Sequence, residues 1–364
     1  WSAAGLAFYQ GKGDVNIGLL TPYLTQENKI SESTLAGTTT KSEVLNLIPS
    51  FFSVYKLSDD FALGFGFYFP YGGGKLEYTD ALEYAGLPGG FQYDVKKDLR
   101  VYTFTLSLAY KINDMLSFGA GLTFYYATMD IDVKDKILAA GPLRGDIDQF
   151  ISGSAISGNI GLMIKPTKEL SIGISTRLPF NVKLEGDFKI EGTGTASDGT
   201  YDSWKKIKAP WNIGLGLAYK VMPNWLISFD IEYQMWDRSK DVEYVNTPSQ
   251  SGTSKYGWKN TFRIALGTDL TINDMLNITA GFKFAPTATQ DKYFGLDNVD
   301  LDGYTFYLGF GYKIVEMFKV EGFVSYTIYP DKTQDTVDDN ATVRATGEFK
   351  KNLIAGGLQV KILF

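Results

Sequence analysis

Histidine and cysteine are both missing from this 364-residue chain. Their absence removes the Ser-His pair, the usual zinc ligands, any thiolate nucleophile and any disulfide. A Ser-Lys arrangement is the one nucleophilic route that composition leaves open. What the sequence does supply is charge placed at alternate positions within apolar runs. Arg177, Asn181, Lys183, Arg263 and Lys283 fall where a side chain faces away from its large apolar neighbours, as do Asp230, Glu232, Asp269 and Glu321. A cation in a sheltered space can hold a carboxylate by a charge-assisted hydrogen bond. These cations are therefore candidates for binding an acidic head group. The competing use of the same residues is a network with the acids among them.

Two further patterns carry less. Asp297, Asp300, Asp302 and Gly303 loosely resemble a calcium loop, but the spacing and the closing bidentate Glu are absent. A solvated acidic loop fits them better. The pairs Gly64/Gly66, Gly119/Gly121 and Gly309/Gly311 stand two apart inside alternating runs, with no helix following. They are not nucleotide fingerprints; small side chains that leave room in an interior explain them better. No cofactor is implied.

One short module supplies the elements that would position these groups. An aromatic or apolar residue, Lys, an aliphatic residue and a tight polar turn lead into an alternating apolar run, about six times. It reads Tyr55-Lys56-Leu57 before Phe61, Tyr110-Lys111-Ile112 before Leu116, Tyr219-Lys220-Val221 before Trp225, and Tyr312-Lys313-Ile314 before Phe318. Looser copies stand at Met163-Ile164-Lys165 and Leu270-Thr271-Ile272. Each joins two period-two stretches through a short turn, as a hairpin does. Longer polar connections separate one hairpin from the next. The alternation predicts fourteen strands, over 13–29, 43–57, 61–70, 99–112, 115–133, 150–165, 169–190, 204–221, 225–238, 257–272, 275–288, 301–314, 317–330 and 345–364.

Short turns at one end and long loops at the other are the pattern of a transmembrane antiparallel β-barrel. Composition agrees: 23 Tyr, 25 Phe and 39 Gly, with no stretch approaching 18 uninterrupted apolar residues. A membrane helix is thereby excluded, whereas a barrel strand needs only about 10 alternating residues. Phe104, Leu106, Leu108 and Tyr110 share one face, opposite Thr103, Thr105, Ser107 and Ala109. A soluble sandwich would turn such apolar faces inward, but the opposite faces here carry Gly, Ser, Thr and charges. Tyr55, Tyr110, Tyr219, Tyr312 and Trp225 sit beside short turns, where an interfacial girdle forms. The last strand ends on Phe364 behind Leu358, Val360 and Ile362. A net charge of −6 argues against nucleic acid as a partner. Two connections are unusually apolar, one holding Leu82, Tyr84 and Leu87, the other Leu138 and Leu143. They are expected to form a capture groove for a hydrophobic ligand, or else to pack on each other over the barrel mouth.

Three stretches resemble the FadL/TodX family of outer-membrane transporters of long-chain fatty acids and other hydrophobic compounds. Ala3-Ala4-Gly5-Leu6-Ala7 with Gly11 is similar to the family's hatch segment, with Ser2 and Ala3 in place of its Asn-Pro. Pro49 to Tyr55, followed by Leu63 to Gly72, resembles its second and third strands, and Trp225 to Trp236 resembles another. The resemblance implies an all-β barrel of about fourteen strands in the bacterial outer membrane. It also implies passive uptake by loop capture, lumen binding and sideways exit at a kink in the third strand. Pro70, Gly72, Gly73 and Gly74 are placed for that kink, since Pro removes a ladder donor and Gly relaxes the backbone. Residues 1–12 read as the remnant of a hatch and 13–364 as the barrel; about twelve residues are fewer than a full hatch needs. The expected partners are hydrophobic small molecules such as fatty acids, with outer-membrane lipid and lipopolysaccharide around a monomer. The alternative is a general diffusion porin for polar solutes. An enzyme is not expected.

Overall fold

The computed structural model describes residues 3–32, 39–71, 74–78, 93–135, 145–294, 299–334 and 346–364. They form a barrel of fourteen antiparallel strands, and each predicted span overlaps one of them. β1 is Gly13–Glu32; β2 comprises Thr39–Leu45 and Ile48–Lys56; β3 comprises Phe61–Tyr68 and Gly74–Tyr78. β4 (Tyr93–Lys111), β5 (Leu116–Asp135) and β6 (Asp146–Ile164) are unbroken. β7 (Leu170–Arg177 and Asn181–Glu191) and β8 (Gly199–Lys208 and Trp211–Met222) each divide in two. So do β9 (Trp225–Met235 and Asp241–Thr247) and β10 (Gln250–Lys255 and Thr261–Thr271). β11 (Leu276–Ala285), β12 (Gly303–Val315), β13 (Phe318–Ile328 and Lys332–Gln334) and β14 (Thr346–Leu363) complete the wall. β14 then pairs with β1 from Asp14↔Leu363 to Lys29↔Glu348, which closes the cylinder.

The recurring module owes its shape to side-chain acceptors in the turns. Ser58 Oγ accepts from the amides of Asp60 and Phe61 at 3.3 and 3.1 Å. Asn113 Oδ1 accepts from Met115 N at 2.9 Å, and Asn273 Oδ1 from Met275 N and Leu276 N at 2.9 Å. Such local bonds offer the backbone a turn in place of a longer strand. Each hairpin is fixed within its own few residues.

The wall has an apolar outside and a polar inside. Leu122 and Ile156 are 64% and 67% exposed on the outer face, among a continuous field of Leu, Ile, Phe and Tyr. Thr103, Thr105, Ser107 and Thr123 are buried inside, and the Thr105 and Thr123 hydroxyls bond at 3.0 Å. A soluble sandwich requires the reverse. The girdle residues Tyr55, Tyr110, Tyr219, Tyr312 and Trp225 are exposed beside the short turns, with Phe61 stacked on Tyr110 at 4.7 Å.

The N-terminal 3₁₀ helix Ala3–Phe8 lies inside the short-turn end. Ser117 Oγ donates to Ala4 O at 2.8 Å, and Ala7 packs with Val54, Ala62 and Ala109. Lys165 Nζ stands 3.9 Å from the Phe8 ring centroid. A Cβ on Gly119 would come within 2.4 Å of the Ala3 and Ala4 backbone. The room left by that glycine is therefore filled by chain.

Candidate functional site in the lumen

The third strand is divided into Phe61–Tyr68 and Gly74–Tyr78, with Pro70 between the two segments. Its ladder with β4 runs from Phe61↔Tyr110 to Tyr68↔Thr103 and resumes at Gly74↔Leu99. Between Tyr68↔Thr103 and Gly74↔Leu99 the register of the two strands shifts by two residues. Its ladder with β2 ends at Phe51↔Phe67. Beyond that pair, among the described residues, side chains join the two strands where backbone pairing stops. Asn46 Oδ1 accepts from Lys75 N at 3.0 Å and Ser42 Oγ from Glu77 N at 3.4 Å.

A cavity of about 350 Å³ lies against this break. Leu6 forms part of its floor, and Phe52, Gly64, Gly66, Tyr68 and Pro70 one wall. The opposite wall is a polar rung built by register: Asn159 of β6, Arg177 of β7 and Asn212 of β8 are direct neighbours and all line the cavity. Tyr125 and Phe180 stack at 3.9 Å in an apolar cluster with Val101 and Met129, and Tyr71 packs on Phe180 at 6.1 Å.

The two arginines here differ in partnership. Arg263 lies 4.0 Å from Glu232, and its Nε donates to Gln234 Oε1 at 3.0 Å. Arg177 lies 5.8 Å from the Tyr71 ring centroid, and among the described residues no carboxylate is within ion-pair distance of it. Beside it Asn212 is only 4% exposed, yet neither its Nδ2 nor its Oδ1 has a hydrogen-bond partner among the described residues. Buried polar atoms are nearly always bonded, so such a pair of orphans marks a place for something polar.

Lys283 faces a second cavity, of about 570 Å³, which Arg263 also lines. Lys183 and Asn181 require a correction. They were expected inside, but Val182 and Leu184 are the buried side chains of that segment, and Lys183 pairs with Glu185 on the exposed outer face. The interruption at Leu178–Phe180 resets the alternation by one residue. Gly74 opens the second segment of β3. Gly72, Gly73, Leu82, Tyr84, Leu87, Leu138 and Leu143 lie outside the described residues.

Of the acids, Glu232 joins the first cavity, while Asp269 and Glu321 join a network toward the short turns. Asn277 donates to Asp269 at 3.0 Å and Lys319 pairs with Glu321 at 2.6 Å. Asp300 and Asp302 spend their oxygens on Thr287, Ala288 and Thr289. Asp297 is outside the described residues. Sequence reasoning missed Asn159, Asn212 and Lys351. Alternation against Ile160, Ile213 and Ile354 would have turned all of them inward.

The family model for outer membrane protein transport proteins (OMPP1/FadL/TodX) matches residues 6–364. A long-chain fatty acid transport protein of Salmonella typhi is 23% identical over 70% of this chain, and the chain spans 63% of its length. Outer membrane protein P1 of Haemophilus influenzae is 22% identical over 75% of the chain and 64% of its own length. The chain thus spans somewhat less than two thirds of these relatives. A FadL homologue of Pseudomonas aeruginosa superposes with a TM-score of 0.84 at 15% identity, covering all of this chain and 93% of the other. The toluene transporter TodX of P. putida does so at 0.74, again at 15% identity, over all of this chain and 92% of the other. At such identities the superpositions speak for the fold. None of these relatives lends support to a diffusion porin for polar solutes. With the family model running from Leu6 to the last residue, the chain belongs to the OMPP1/FadL/TodX family, and its fourteen strands form a barrel of the bacterial outer membrane.

Proposed function

We propose that this chain carries hydrophobic compounds passively across the outer membrane, and that Arg177 receives the head group of those that are acids. The observation that carries the reading is the contrast between Arg177 and Arg263 at one cavity. Arg263 is matched by Glu232, whereas Arg177 has aromatic rings and the unbonded Asn212 carboxamide beside it. An unmatched sheltered cation is costly, and a visiting carboxylate would offset that cost by accepting from both groups. The cavity falls in the size range of small-molecule sites.

The relatives' names supply two kinds of cargo, a long-chain fatty acid and toluene. An acid would use Arg177; a neutral hydrocarbon would need only the apolar walls. Around this site we place the rest of the route. Cargo lands on Leu82, Tyr84, Leu87, Leu138 and Leu143, descends to the cavity, and leaves sideways between β2 and β3 where Pro70 to Gly74 interrupt the wall. Residues 1–12 act as the hatch at the periplasmic end. The barrel works as a monomer, its outer face against lipid and lipopolysaccharide.

Uptake of a fatty acid and of its neutral alcohol analogue by cells carrying Arg177→Ala tests the head-group role. Loss of a charge-assisted hydrogen bond should lower acid transfer by about tenfold or more, with the alcohol unchanged. Arg263→Ala should do much less, because Glu232 and Gln234 already hold that guanidinium. Equal losses for acid and alcohol would remove Arg177 from the reading.

A further inference from the structure

The second cavity is larger than the first, and its charge is not balanced. Lys283, Lys351 and Arg263 line it, and the carboxylate lining it among the described residues is that of Asp300. One oxygen of that carboxylate is already engaged. Asp300 Oδ2 accepts from Thr287 Oγ1 and Ala288 N at 2.8 Å, and from Thr289 N and Oγ1 at 3.2 and 3.3 Å. Arg263 is held by Glu232 and Gln234. The two lysines are left. Lys351 Nζ donates to Val299 O at 3.2 Å and stands 4.9 Å from the Tyr329 ring centroid; Lys283 Nζ stands 5.7 Å from that of Tyr307. Among the described residues neither has a carboxylate within ion-pair distance.

Register brings the two together. Lys283 is paired with Thr305, Thr305 with Thr327, and Thr327 with Leu353, two residues from Lys351. The Thr305 and Thr327 hydroxyls, bonded at 2.9 Å, lie between the lysines on the same wall. Trp236 meets Trp258 edge-on at 5.3 Å, and both line the space. The lining therefore combines ammonium and hydroxyl groups with aromatic rings. Ammonium groups with spare donors favour an anion, and ring faces favour a flat or apolar body.

We propose that this cavity is a second lumenal site, specific for aryl or alkyl carboxylates, loaded independently of the one at Arg177. It rests on the reading of the barrel as a conduit for such cargo and adds a second station to the path. The two stations have Arg263 in common, and Trp236 of the second stands 6.3 Å from Tyr71 above the first. A molecule can therefore pass from one cation set to the other within the lumen.

Calorimetric titration of the detergent-solubilised barrel with 4-butylbenzoate, and with butylbenzene as the neutral control, decides it. Two benzoates should bind per barrel. Arg177→Ala should leave one, and Lys283→Ala with Lys351→Ala should leave the other, the lost site weakening by about tenfold or more; butylbenzene should be unaffected by the lysine changes. The Gln versions of both lysines serve if the Ala pair does not fold. One benzoate in the wild type, lost in Arg177→Ala and kept in the lysine variant, would overturn the second site and leave the first. One benzoate lost only in the lysine variant would uphold this site while the Arg177 reading fails. No benzoate bound at all would sink both.

Discussion

From the short turns up to the level of Tyr68, Arg177, Trp211 and Met235, the strands pair without interruption and alternation alone decides which side chains meet lipid. Toward the long loops, β2, β3, β7, β8, β9, β10 and β13 each break. In the lower half Leu106 pairs with Leu122 on the lipid side while Thr105 bonds Thr123 within. In the upper half Leu178-Pro179-Phe180 leaves the ladder and turns Phe180 inward onto Tyr125, two strands away on the same wall. Both cavities lie at the level of the breaks. A barrel wall that pairs throughout fills or drains its lumen; one that breaks can shape pockets in it.

The largest effect should come from the lower half, where a continuous wall seats the N-terminal segment. Gly119 takes no side chain because the Ala3 and Ala4 backbone would lie 2.4 Å from its Cβ. Val suits a strand, so Gly119→Val should leave the barrel folded and unseat the segment. Single-channel conductance in planar bilayers should rise from near zero to a resolvable open level. Gly173→Ala is the control, since nothing lies within 4 Å of a Cβ there. A closed Gly119→Val barrel that migrates as folded would mean that residues Ala3–Phe8 do not obstruct the pore.

In the upper half the corresponding change is Phe180→Ala. It deletes the ring that stacks on Tyr125 and packs with Val182, Leu184 and Ile151. Truncating a buried Phe costs about 3 kcal/mol or more, read as a lower midpoint of thermal unfolding in detergent. Joining the cavity to the space above it should also speed neutral-hydrocarbon uptake. An unchanged melting midpoint would show that the inserted ring contributes nothing to the upper wall.

The same division explains what could be read from the sequence. Hairpins of the lower half carry their determinants within a few residues: Asn113-Asp114-Met115 and Asn273-Asp274-Met275 form the same turn through the same Asn acceptor. Alternation then fixes the faces, and Arg177, Arg263 and Lys283 point where it says. Lys183 fails because the rule that large apolar residues face outward holds only where lipid is outside. Above the break Val182 and Leu184 pack into the lumen against Ile151 of the neighbouring β6 and Tyr125 of β5, the next strand along. Pro179 was the available signal, as a proline within an apparent strand. Trp236 was expected inside the strand over 225–238 and instead opens a 3₁₀ turn whose Arg238 donates to Phe180 O and Asn181 Oδ1. Those are cross-strand bonds that no local pattern encodes.

The smallest effect belongs to the loop between β7 and β8, far above the breaks. The Thr193 hydroxyl donates to Asp198 Oδ1 at 2.6 Å, the Thr193 amide to the same oxygen at 2.9 Å, and the Gly194 amide to Oδ2 at 3.1 Å. These donors, the hydroxyl first, hold the Asp198 carboxyl below its ordinary range. A carboxyl lowered on folding binds its proton more weakly than the open loop does. Its contribution is therefore present above the ordinary Asp value of about 4 and fades as pH falls through the folded value. Gly192 and Gly194, at φ of 82° and 65°, bend the chain around it. The protection of the Thr193 and Gly194 amides, taken relative to the intrinsic exchange rate at each pH, should fall on acidification in the parent chain, and Asp198→Asn should flatten that dependence while the barrel amides stay protected. The effect stays local because no ladder of the lower wall passes through this turn. A change in the protection of the Arg177 or Asn212 amides over the same pH range would contradict the independence of the two halves.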